Sequence, residues 1–224
     1  MIKLMNVTKK YDDMELLKDF SISFEENEIT CMFGPSGVGK TTIANIAANL
    51  VTVDEGKVSG TEEAVYSYVF QEPRLLDWYS VYDNLDFVLK DIYDIAKRKE
   101  VIESYLEMVE LSDYREFRPK ALSGGMSQRV SIARAFAYPS NILIMDEPFK
   151  GLDMKLKQDI VSLFKKLWKE SRRTVIFITH DVDEAISLSD KIYIIKNRPV
   201  EINMIIDVKN TNDRESIKNI LLLS

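Results

Sequence analysis

The sequence predicts an α/β fold with a mostly parallel sheet, an antiparallel β portion at the N-terminus and a helical insertion. Three observations carry that expectation. Apolar strand-like runs alternate with helical patterns over much of the chain, which is how a parallel sheet reads. The apolar run Ile29–Phe33 leads into Gly34-Pro35-Ser36-Gly37-Val38-Gly39-Lys40-Thr41, and a helical spacing of Ile43, Ile46, Ala47 and Leu50 follows. Between about residues 72 and 138 the strand signals stop and helical stripes replace them.

In chain order, residues 2–7 alternate weakly and read as a first strand. Tyr11 falls in the polar turn that contains Lys9, Lys10, Asp12 and Asp13. Residues 16–24 make a second strand with Phe20, Ile22 and Phe24 on one face. Glu25-Glu26-Asn27-Glu28 turns the chain into the strand before the glycine loop, and residues 57–59 and 65–70 read as a short strand pair. The insertion carries one stripe of Leu85, Val88, Leu89 and Ile92 and another of Val101, Tyr105, Met108 and Val109. A helix with Met126, Val130, Ala133 and Ala137 on its apolar face closes it. Strand 142–145, a helix with Leu156, Ile160, Leu163, Phe164 and Leu167, strand 175–178, a short helix from Asp183 and a strand at 192–195 complete the pattern. The expected organisation is a single domain over 1–224, with its core at about 1–71 and 139–224 and a helical subdomain at about 72–138.

A chain of 224 residues is long enough to bury the core of one sizeable α/β domain. Its 29% charged and 46% hydrophobic residues are a globular balance without the signature of disorder. The net charge of −6 argues against wrapping nucleic acid, so none is expected as a partner. The single cysteine, Cys31, admits no internal disulfide, and its place in an apolar strand predicts a buried structural thiol. No N-terminal run combines basic residues with an apolar core, and no apolar stretch approaches about 18 residues. A cytoplasmic chain is therefore expected.

The glycine loop is the strongest chemical signal. Strand, glycines and helix in that order place converging backbone N–H groups and a helix N-terminus on phosphate oxygens. Gly34, Pro35, Ser36, Gly37, Val38, Gly39, Lys40, Thr41 and Thr42 are thus the expected nucleotide site. Lys40 supplies charge toward the β- and γ-phosphates, and the Thr41 hydroxyl is a ligand for Mg²⁺. The strand at 142–145 ends in Asp146 and Glu147, at the edge of a parallel sheet where ligands bind. Asp146 is placed for Mg²⁺ and Glu147 for a hydrogen bond from a water aimed at the γ-phosphate. An ordinary solvated strand end is the other reading of such a pair. Leu122-Ser123-Gly124-Gly125-Met126-Ser127-Gln128-Arg129 opens a helix with Ser123 as N-cap. On its own residues this is a capped helix whose uncluttered N-terminus could also take an anion.

That run, some twenty residues before an apolar strand ending in Asp-Glu, resembles the signature of the ABC ATPases. The remaining motifs stand in that family's order. Tyr11 is similar to the aromatic that stacks on adenine, and Gln71 in Val69-Phe70-Gln71-Glu72 to the glutamine that meets Mg²⁺ and the γ-phosphate. Gly151-Leu152-Asp153 resembles the loop before the next helix, and His180, the only histidine, the switch residue after its strand. The resemblance implies ATP and Mg²⁺ as ligands, with Lys40, Gln71, Glu147 and His180 catalytic. It implies Thr41, Gln71 and Asp146 about the metal, and Ser123, Gly124, Gly125 and Asp153 among the nucleotide-binding residues. It further implies a head-to-tail homodimer in the ATP-bound state, integral-membrane permease subunits as partners and, indirectly, an extracytoplasmic solute-binding protein. The chain would then sit peripherally on the inner face of the cell membrane.

The run Gln71-Glu72-Pro73-Arg74-Leu75-Leu76-Asp77-Trp78 looks like the nitrate, sulfonate and taurine importer subgroup, with Asp77 where proline is usual. Leu75, Leu76, Trp78 and Tyr79 either join the core or line an exposed groove for a short helix of a membrane subunit. Two other functions compete. A small-molecule kinase would account for the glycine loop but not for Ser123, Gln71 and His180 together. A non-transport ATPase of the same superfamily, of the chromosome or repair type, would need long heptad arms that this chain lacks.

Overall fold

The computed structural model describes residues 1–211 and 213–224. Its elements are β1 (Ile2–Tyr11), β2 (Met14–Phe24), β3 (Ile29–Phe33), α1 (Lys40–Ala47), β4 (Glu55–Ser59), β5 (Tyr66–Val69), α2 (Val81–Leu89) and α3 (Ile95–Met108). They continue with α4 (Gly124–Ala137), β6 (Ile142–Asp146), α5 (Met154–Glu170), β7 (Thr174–Thr179), α6 (Val182–Leu188), β8 (Lys191–Lys196), β9 (Glu201–Asp207) and α7 (Arg214–Leu222). The described residues form two compact units: Met1–Tyr66, Asn141–Glu147 and Arg173–Ser224 in the first, Ser67–Ser140 and Pro148–Arg172 in the second. Residues 72–138 lie within the second unit, which also takes α5.

In the first unit the strands run in the order β6-β7-β3-β8-β9, parallel except for β9, which is antiparallel to β8. Every residue of β3 and β7 is buried, which explains their unbroken apolar sequences: a central parallel strand is covered on both faces. The register decides which residues share an edge. Phe33 lies opposite Thr179, and Asp146 opposite Ile178, so Gly34, Glu147 and His180 emerge together at the carboxyl edge. A smaller antiparallel sheet, β2-β1-β4, belongs to the same unit. Cys31 is buried in β3, and burial pushes its thiol up to about 12, as a structural cysteine requires.

The second unit packs α2, α3, α4 and α5. Ser80 and Asp83 form a reciprocal capping box on α2, which satisfies two backbone donors at its start. Helix α4 is buried on most sides, and Phe136 meets Phe164 of α5 edge to face at 5.8 Å. No helix among the described residues is long and apolar enough to cross a membrane.

Several sequence expectations shift. Helix α1 stops at Ala47 because Asn49 adopts a left-handed φ of 57°, which turns Leu50 out to solvent. Helix α2 ends at Leu89, leaving Ile92 exposed in the turn beyond it. The buried stripe of α3 is Ile102 and Leu106, continuing to Val109, one residue round from the expected Val101, Tyr105 and Met108. Tyr and Met flank that stripe because each can half-bury a long side chain. Tyr11 ends β1 instead of lying in the turn, which is Asp12 and Asp13. β4 pairs with β1, not with β5, so the short strand pair does not form. β9 and α7 were not anticipated.

Candidate functional site

The glycine loop follows from the strand that delivers it. β3 is held between β7 and β8, and a Cβ added at Gly34 would collide with the carbonyl oxygen of Ile195. Gly39, at φ 127°, is the N-cap of α1 and contributes no side-chain cap, so no cap side chain occupies the helix N-terminus where an anion would bind. Lys40 is buried, with Nζ donating to the carbonyls of Gly34 at 2.7 Å and Pro35 at 2.8 Å. The ammonium is thereby curled over the loop, poised for a phosphate oxygen.

Thr41 Oγ1 donates to Asp146 Oδ2 at 2.8 Å. A hydroxyl and a carboxylate in contact are hard oxygen donors suited to Mg²⁺, which takes its other positions from phosphate and water. No group of three or more His, Cys, Asp or Glu forms a metal cage among the described residues, and a magnesium nucleotide does not need one. The residues fit both the nucleotide and the ion.

One residue on, Glu147 is buried and held at φ 46°, its N–H donating to Ile178 O at 3.0 Å. A glutamate in the left-handed region is costly, and such strain collects at functional positions. Oε1 of Glu147 lies 3.2 Å from His180 Nδ1, whose side chain is half exposed. His180 itself is held by its neighbours: Thr179 Oγ1 donates to the buried Glu184 at 2.6 Å and accepts from Asp181 N–H at 3.0 Å. A pocket of about 260 Å³ brings Tyr11, Gly37, Lys40, Thr41, Asp146 and Glu147 together. Tyr11 is 42% exposed there, with Lys9 Nζ 5.3 Å from its ring. A larger groove of about 610 Å³ runs elsewhere in the first unit past Glu26, Glu62 and Glu63. Its carboxylates would repel a polyphosphate, so size does not locate the nucleotide.

The other expected site residues belong to the second unit. Ser123 caps α4, accepting from Met126 N–H at 3.2 Å. Gly124 has open space where a Cβ would be, whereas one on Gly125 would press into the Leu156 side chain. Asp153 caps α5, accepting from Leu156 N–H at 3.0 Å. Gln71 is exposed, in a segment pinned from α4. Gln128 Nε2 donates to Phe70 O at 3.4 Å and Pro148 O at 2.5 Å, and Arg134 donates to the carbonyls of Pro73 and Arg74. Trp78 is 67% exposed and in ring contact with Tyr79, while Leu75, Leu76 and Tyr79 are half-buried. Sequence reasoning assigned no role to Gln128 or Arg134, though both stand in α4. It missed Arg198, which also lines the pocket beside the glycine loop, because nothing in a turn after β8 marks it.

The family described as ABC transporter matches residues 17–150. An aliphatic sulfonates import ATP-binding protein of Bacillus anthracis is 36% identical, over 89% of this chain and 81% of its own length. An uncharacterised ABC transporter ATP-binding protein of Methanocaldococcus jannaschii is 38% identical, over 97% of this chain and 86% of its own. Among solved structures, a dimeric post-hydrolysis state of the ATP-binding cassette MJ0796 with ADP and Pi matches at TM-score 0.80 and 30% identity. That match covers 94% of this chain and all of the other.

Proposed function

The chain belongs to the ABC transporter family and is an ATPase, and from that premise we propose that it is the ATP-hydrolysing subunit of an importer of small solutes, of the nitrate, sulfonate and taurine class. The observation that carries the catalytic part is Glu147, strained, buried and 3.2 Å from His180 at the strand edge beside the glycine loop. ATP binds with its base on Tyr11 and its phosphates along residues 34–42. Lys40 leaves its loop carbonyls for the β- and γ-phosphates. Thr41 and Asp146 would hold Mg²⁺, with Gln71 in the place the family resemblance gives it; bound there, the ion would neutralise phosphate charge. Glu147 orients the attacking water and accepts its proton, and His180, steadied by Glu147, hydrogen-bonds the γ-phosphate. Positioning and fixed charge then supply most of the rate.

Two copies associate head to tail, so that Ser123, Gly124 and Gly125 of one meet the γ-phosphate held by the other. The dimeric cassette with ADP and Pi supports association of two copies, and the sulfonate-import relative supports the importer class. The exposure of Trp78 supports a surface there for a permease helix, which would place a cytoplasmic chain on the inner membrane face, coupled to a solute-binding protein outside. Size-exclusion chromatography tests the reading. Glu147→Gln with MgATP elutes as a dimer and the nucleotide-free wild type as a monomer; a mutant that stays monomeric at saturating ATP contradicts it.

A further inference from the structure

We propose that Arg198, in the turn between β8 and β9, binds the ribose and α-phosphate of the nucleotide. The inference rests on the proposed nucleotide pose, with the base on Tyr11 and the phosphates in the glycine loop. The turn is fastened to that loop. A Cβ on Gly39 would lie 3.0 Å from Val200 Cγ2, and Val200 N–H donates to Leu16 O at 2.8 Å. Asn197, at φ 64°, closes the turn by donating from Nδ2 to Glu201 Oε2 at 3.0 Å.

From this anchored base Arg198 reaches along the pocket. Its Nη2 donates to the Gly37 carbonyl, in the loop, and its Nη1 lies 3.7 Å from Met14 Sδ. Met14 is the residue opposite Tyr11 in the β1–β2 hairpin. The guanidinium therefore bridges the base end of the pocket and its phosphate end. A nucleotide lying along that line passes its ribose and α-phosphate beside Arg198.

The chemistry suits the place. A carbonyl and a weakly accepting thioether do not use the five donors of a guanidinium. Its planar fork and permanent charge match a phosphate or a ribose hydroxyl pair. The pocket also contains Asp146 and Glu147, so a second cation besides Lys40 offsets charge that would oppose a polyphosphate.

The test is equilibrium binding of fluorescent ATP and ADP analogues, with Mg²⁺, to the full chain and to Arg198→Ala, Arg198→Gln and Arg198→Lys. Arg198→Ala raises Kd by about tenfold, the scale of one charged hydrogen bond, and by the same factor for both nucleotides. Glutamine keeps an N–H for the Gly37 carbonyl without the charge, and it stays as weak as alanine; lysine falls between alanine and wild type. An unchanged Kd in Arg198→Ala, or full recovery with glutamine, overturns the proposal and leaves Arg198 a loop fastener. A loss much larger for ATP than ADP overturns the α-phosphate assignment. Wild type that binds neither nucleotide would sink the nucleotide site itself, a result distinct from the others.

Discussion

Gln128→Leu is the sharpest structural perturbation available. Gln128 is 2% exposed, and its Nε2 serves two carbonyls in the second unit, Pro148 at 2.5 Å and Phe70 at 3.4 Å. Leucine fills similar volume but donates nothing. Loss of the long bond to Phe70 costs up to about 1 kcal/mol, and stranding the buried Pro148 carbonyl about 1–3 kcal/mol, for a total of roughly 1–4 kcal/mol. In a chain of this size each 1 kcal/mol moves the melting temperature by about 2–4 °C, so a fall of roughly 2–16 °C is expected. Phe70 precedes Gln71 and Pro148 follows Glu147, so the same change is expected to loosen two positions proposed as catalytic. Urea denaturation and calorimetry give the stability, and an ATPase assay below the melting point gives the activity. A variant as stable as wild type would refute the claim that this side chain ties the two segments together.

Tyr11→Ala should weaken ATP and GTP alike, by about 1–3 kcal/mol if the ring stacks on the base, while Tyr11→Phe stays near wild type; titration with both nucleotides decides it, and unchanged affinity makes Tyr11 a strand end only. Cys31 should resist thiol reagents at pH 8 until the chain unfolds, because burial lifts its thiol from near 9.0 to about 12. The folded value is the higher one, so this stabilisation is complete below pH 9 and declines as pH rises toward 12. Rapid labelling of folded protein would place Cys31 at the surface. Trp78→Glu should leave the fold and nucleotide binding intact, since the ring is already exposed, and abolish assembly with the proposed permease partner. If it unfolds the chain, Trp78 is core.

How much was legible follows from how local each signal is. The strands β3, β6 and β7 are continuous apolar runs because both their faces are covered, so their places could be read directly. The glycine loop, Asp146 and Glu147 were legible for the same reason: they sit at the ends of such strands. His180 needed the family resemblance, since a lone histidine carries no pattern. Helix faces were less secure. In α3, Tyr105 and Met108 are apolar enough to mimic the stripe that Ile102 and Leu106 occupy. Leu50 continued a helical spacing that the backbone of Asn49 had already ended. β9 was invisible because Met204 and Ile205 are both exposed, which erases alternation. Arg198 was beyond reach, as its hydrogen bond to Gly37 spans 161 residues of sequence.

The central claim is that Glu147 is the base for water attacking ATP bound at Lys40, Thr41 and Asp146. Phosphate release from MgATP, measured alongside nucleotide affinity for wild type and Glu147→Gln, tests it directly. With Glu147 as that base, affinity is unchanged in Glu147→Gln and the rate falls by about 10²–10⁴-fold, the usual range for a positioned base. Glu147→Gln releasing phosphate at the wild-type rate would contradict it.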